Sequence, residues 1–159
     1  MNKITARTFW SAAALSILLL APAHAQTSGF KTLVGTWRVT VSPDGIPPFQ
    51  AFNTFNADGS SIEFDNSNPP GQQTIAMGPW ERVGDRDYMM VEVNQLFDDH
   101  GYAGELRVRA KITLDASGDC YTGPFTFQVV DMGGNVVFQG GGTAKGRRIT
   151  IDSLAGQAL

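Results

Sequence analysis

The chain has 159 residues, 42% of them hydrophobic, with 12 basic and 15 acidic side chains and a formal net charge of −3. That length suits one ordinary domain with a sizeable core, and the acidic balance argues against nucleic acid or an anionic membrane surface as a main partner. The single cysteine, Cys120, rules out an intramolecular disulfide, so stability must come from the core.

Residues 1–25 read as a secretory signal peptide. Lys3 and Arg7 charge its start, Ser11 to Ala21 is an apolar run too short to span a bilayer, and Ala23-His24-Ala25 places small residues at the cleavage positions. Cleavage after Ala25 leaves one domain, 26–159, with ten basic and fifteen acidic residues and a net charge of −5. The leader lacks paired arginines, which points to the general export route. No second long apolar stretch follows. The expectation is an exported protein, periplasmic or extracellular, with no membrane span.

Ser28 can cap one helical turn through Phe30 and Leu33, and such a turn could close the floor of a barrel. The first strand follows over residues 33–41, where Trp37, Val39 and Val41 alternate with Thr36, Arg38 and Thr40 at the period of two. Gly35 stands where the chain leaves a turn and needs either positive φ or a close backbone approach. Ser42 to Pro48 is rich in turn formers and reads as a rim loop. A second strand spans residues 49–56, Ala57-Asp58-Gly59 signals a hairpin, and a third strand runs over 60–64. Residues 65–73, polar and bearing Pro69 and Pro70, form the longest loop, of the kind that serves as a lid or binding loop or is merely mobile.

Residues 75–83 and 87–97 read as a hairpin turning at Gly84-Asp85. On its second strand Tyr88, Met90, Glu92 and Asn94 share one face, while Met89, Val91 and Val93 share the other. With the first face inward, Glu92 and Asn94 would be the polar fixtures of a pocket; the second is the more apolar, so it is expected inside and Glu92 outside. The clearest alternation lies in 104–114, with Leu106, Val108, Ala110, Ile112 and Leu114 on one face and Arg107, Arg109 and Lys111 on the other. A strand over 120–131, a turn at 132–135 and a short strand over 136–139 follow. Gly140-Gly141-Gly142 precedes no helix and reads as a bend or bulge, with a terminal strand over 147–152. Eight or nine short strands in sequence-adjacent hairpins predict an all-β fold, and closing the meander removes its edges. A single antiparallel up-and-down barrel of about eight strands is therefore expected.

Gly35-Thr36-Trp37 at the opening of the first strand, with Arg147 or Arg148 near the end of the last, resembles the calycin group, the lipocalin and fatty-acid-binding-protein-like barrels. Along its length the chain also resembles small exported bacterial proteins with the same opening. The resemblance implies a lipocalin-like barrel over 26–159 in which a late basic residue packs over Trp37 at the closed end. Two lipocalin features are missing: residues 154–159 are too few for the carboxy-terminal helix, and no disulfide staples the chain.

Candidate ligand-binding residues are Phe52, Phe55, Trp80, Met89, Phe125 and Phe127, drawn from an excess of aromatic and thioether side chains. Such side chains line ligand cavities, and they also simply fill small barrels. Asp98, Asp99 and His100 lie adjacent on a turn, which suits a solvated turn better than a metal site. Cys120 has no base within sequence reach, and no nucleophile elbow, metalloprotease helix or phosphate loop is present. No catalytic residue, metal or cofactor is assigned. Expected first is a non-enzymatic exported barrel that binds a small apolar or amphipathic molecule. The alternatives are a protein-binding barrel, such as an inhibitor of exported proteases, and a barrel cyclase or isomerase using Glu92 and Tyr88.

Overall fold

The computed structural model describes residues 31–154; the expected leader, residues 1–25, and the turn expected at Ser28 lie outside them. Eight strands follow in order: β1 (Gly35–Pro43), β2 (Phe49–Phe55), β3 (Ser60–Asp65), β4 (Ala76–Arg82), β5 (Asp87–Asp98), β6 (Gly101–Leu114), β7 (Cys120–Asp131) and β8 (Val136–Arg148). Each pairs antiparallel with the next, and β1 pairs with β8 from Trp37↔Arg148 to Pro43↔Gly142, so the sheet is a closed up-and-down barrel. This is the expected fold class, and it is consistent with a calycin-like barrel. Among the described residues no helix is long and apolar enough to cross a membrane.

The two ends differ. The turns after β2, β4 and β6 gather with the described ends of the chain at one end, where Leu33, Trp37, Phe55, Tyr88 and Leu114 are fully buried. Trp37 donates its indole N–H to the Leu33 carbonyl at 2.9 Å and packs 5.0 Å from the Tyr121 ring. Arg148, not Arg147, covers it: the guanidinium lies 4.2 Å from the ring centroid and donates to the carbonyls of Thr32, Val34 and Gly118. A cation stacked on indole with its N–H groups answered by carbonyls ties the barrel floor to the entering chain. Gly35 has φ +132°, the first of the two sequence reasons for glycine; the near neighbour of an added Cβ is not backbone but the side-chain tip of Arg148, with Nη1 at 2.8 Å.

Two expectations near the end of the chain are corrected. Residues 140–142 do not bend the chain away; β8 runs through them, and none of the three has positive φ. Their lack of a side chain makes room for rings instead. Across the ladder Phe127 faces Gly140, Phe125 faces Gly142 and Tyr121 faces Gly146, and where β7 itself has Gly123 its partner is Ala144. A Cβ at Gly140 would come within 2.8 Å of the Phe127 ring, and one at Gly146 within 2.1 Å of Tyr121. The three aromatic side chains thus lie against the bare backbone of β8. The expected strand over 147–152 ends at Arg148 and gives way to a short helix, α1 (Ile151–Leu154). Thr150 caps it: its hydroxyl accepts from the Ser153 N–H at 3.1 Å, and the Ser153 hydroxyl accepts from the Thr150 N–H at 2.9 Å.

Candidate functional site

The other end of the barrel is hollow. A cavity of about 600 Å³ opens between the β1–β2 loop at Ile46, Pro47 and Pro48 and the β3–β4 loop at Asn66, Ser67 and Asn68. Inward side chains of β1, β5, β6 and β7 supply an apolar wall that includes Val39, Met90, Val108, Ala110, Phe125 and Phe127. The glycines of β8 shape it, because rings lying on that strand leave the middle of the barrel free. Phe127 stacks between Phe125 (6.3 Å) and Phe138 (5.6 Å), carrying the aromatic wall up to the rim. Volume, apolar lining and a few grouped polar side chains are the usual attributes of a small-molecule site.

The sequence-derived candidates divide into three groups. Phe125 and Phe127 line the cavity. Phe55 and Trp80 belong to the closed end, where Trp80 packs between Phe55 (6.0 Å) and Tyr88 (5.7 Å) and donates its N–H to the carbonyls of Asn56 and Ser60. Phe52 and Met89 stand on the outer face: Phe52 lies beneath the Arg38 guanidinium at 5.9 Å, and Met89 pairs with Lys111, whose ammonium reaches toward Asp87. Cys120 is exposed at the start of β7, and the His100 N–H donates to Asp98 within its turn.

The orientation of β5 reverses the expectation. Tyr88, Met90, Glu92 and Asn94 point inward, while Val91 and Val93 are exposed, so Glu92 is fully buried rather than solvated. The polar face is the inner one because the cavity carries a polar wall on this side. Asn53 of β2 donates to Glu92 Oε1 at 3.2 Å, and Glu63 of β3 comes within hydrogen-bonding range of Glu92. Burial first, and then the facing Glu92 carboxyl, push the Glu63 carboxyl well above the usual range, since two carboxyls in contact do not both ionise freely. Tyr121 lines the cavity nearby, and burial with the negative charge of Glu63 and Glu92 raises its phenol, so its O–H remains a donor.

A hydrogen-bonded chain runs from this wall to the rim. Asn94 Nδ2 donates to Gln73 Oε1 at 3.2 Å, Asn68 Nδ2 donates to the same oxygen at 2.8 Å, and Gln73 Nε2 donates to Asp65 Oδ1 at 2.8 Å. Gln73 also bridges to Leu96 through the backbone, so the end of the longest loop continues the pairing of β4 with β5. Sequence alternation missed Glu63, Asn53 and Asn94 as a group because they come from three strands. The signal that could have found them is the run of polar residues on one face of β5 opposite a single inward glutamate on β3. Compared with known proteins, the chain matches no protein-family model, and no curated protein matches it at a significant level.

Proposed function

We propose that this chain is an exported, non-enzymatic barrel that carries a small hydrophobic or amphipathic molecule in its interior. The observation that supports this reading is the open cavity of about 600 Å³ with its apolar wall of β6 and β7 side chains. A barrel that binds a protein partner through its loops alone needs no such space, and its interior is better filled. The carboxyl pair Glu63–Glu92 favours a second reading, a cyclase or isomerase in which Glu63 moves a proton, because a displaced carboxyl in a cleft suits acid–base work. Tyr88 has no part in it, being buried at the closed end against Trp80.

The test is titration of an apolar fluorescent probe against the wild type and Val108→Trp, which places an indole in the cavity opposite Phe127. The carrier reading expects about one displaceable site per chain, weakened at least about tenfold in the variant while its folded spectrum is unchanged, as loss of a cavity requires. A well-folded wild type that takes up no probe would sink it.

A further inference from the structure

Two buried oxygens have no donor: Asn94 Oδ1, on a residue that lines the cavity, and Glu92 Oε2, on one packed behind the lining, the two residues being 4% and 0% exposed. Buried polar atoms are almost always partnered, so both call for an explanation. An exchanged amide orientation does not supply one for Asn94. Gln73 gives its amide N–H to Asp65, which leaves its oxygen facing Asn94, and Asn68 donates to that same oxygen. Asn94 must therefore present its NH₂ group to Gln73, and its own oxygen is left over on a residue that lines the cavity.

The groups around these oxygens are mostly acceptors. Glu63 and Asp65 line the cavity beside Asn94, Glu92 lies beneath with Asn53 as its donor, and the Tyr121 O–H is the one phenolic donor nearby. Among the described residues no ammonium or guanidinium offsets the carboxyls. Lys111 is the one basic residue among the described residues with atoms on the cavity wall, and its ammonium points outward, 3.8 Å from Asp87 and half-exposed. An apolar cavity with a carboxyl pair, a spare carbonyl oxygen and no cation lacks what buried charge normally requires.

We propose that the Glu63–Asn94 wall, backed by Glu92, recognises the protonated amine head of an amphiphile, whose apolar tail lies along Val108, Phe125 and Phe127. This rests on the carrier reading and adds the class of head group. The ammonium donates to Glu63 and to Asn94 Oδ1 and provides the missing countercharge, through hydrogen bonds that are stronger for being charge-assisted. A carboxylate or phosphate head meets carboxyls instead and is rejected. A neutral alcohol offers one donor and no charge, and ranks between.

Calorimetric titration with n-octylamine, 1-octanol and octanoate at neutral pH tests the head group with the tail held constant. The expected result is octylammonium binding at least about tenfold more tightly than octanol, with octanoate weakest, as one charge-assisted hydrogen bond in place of a neutral one implies. In Glu63→Gln, which keeps the shape but cannot carry the negative charge that faces the ammonium, the preference for the amine over the alcohol shrinks while octanol binds as before. Equal affinities, or octanoate as the tightest ligand, would overturn the amine inference and leave the carrier standing. An undiminished amine preference in folded Glu63→Gln would overturn it too. If none of the three binds, the carrier reading falls with it; the wild-type series decides between these outcomes even if the variant does not fold.

Discussion

Trp37 is buried on the floor of the barrel with its N–H given to Leu33, its ring beneath Arg148 and Tyr121 at its side. Removing the indole leaves a void that the surrounding strands cannot close and a guanidinium without its stacking partner. Trp37→Ala is expected to destabilise the fold by about 3–5 kcal/mol, read from the denaturation midpoint. An unchanged midpoint would mean the floor is organised by something else. Glu63 has the opposite character, because its folded environment opposes ionisation. Its carboxyl is raised in the folded state, so the folded chain binds more protons than the unfolded one above the ordinary glutamate range. The stability Glu63 contributes is fully present at and below that range and is lost as pH rises through its folded value. Glu63→Gln, which cannot ionise, should therefore melt higher than wild type at neutral pH, with the gap closing on acidification toward about pH 4. Melting curves that stay parallel across that interval would contradict the assignment.

Among the elements, β8 is the one whose sequence misleads most. Three consecutive glycines read as a break, yet they remain in an extended strand because the facing strand supplies the bulk. Not all of these glycines are equally demanding. At Gly142 an added Cβ meets the Ser42 carbonyl oxygen at 2.4 Å and Pro43 Cα at 2.7 Å, both backbone atoms that cannot swing aside. At Gly140 it meets the far edge of the Phe127 ring at 2.8 Å, and that ring borders the cavity. Gly142→Ala is expected to cost about 1–3 kcal/mol by overpacking and Gly140→Ala distinctly less, as chemical denaturation of both would show. The strand pattern itself was legible because seven of the eight strands alternate or stop at turn formers. The facing of β5 was not, since both of its faces are half apolar: Met89, Val91 and Val93 outside, Tyr88 and Met90 inside with Glu92 and Asn94. The rule that puts the greasier face inside fails there, because Met77, Ile62 and Phe64 continue an exposed apolar band across β4 and β3. The cavity site was half legible. Phe125 and Phe127 stand out as rings, whereas Glu63 is one glutamate in a short strand and acquires meaning only when the barrel brings Glu92 opposite.

At the scale of the whole molecule, if the chain is the carrier proposed, it is stabilised by its cargo, since a ligand that binds only the folded state adds free energy as its concentration rises above the dissociation constant. Retained ligand should appear as a higher melting temperature in protein purified under native conditions than in the same protein unfolded, stripped and refolded. If the leader over 1–25 is removed as proposed, amino-terminal sequencing of the exported form begins at Gln26; an exported form that retained Met1 would refute the cleavage. The seam between β1 and β8 has a bearing on the route as well as on the fold. Strands that are neighbours in space are the first and last of the sheet, and Arg148 reaches carbonyls at Thr32 and Val34 across more than a hundred residues of sequence. Contacts so distant along the chain form late. Until β8 has emerged, β1 and β7 are both open edges, and the growing polypeptide has no finished floor over Trp37. The barrel is thus withheld from closing until its last strand is made, which, if the chain is exported as proposed, lengthens the interval in which it can still be threaded unfolded through a membrane.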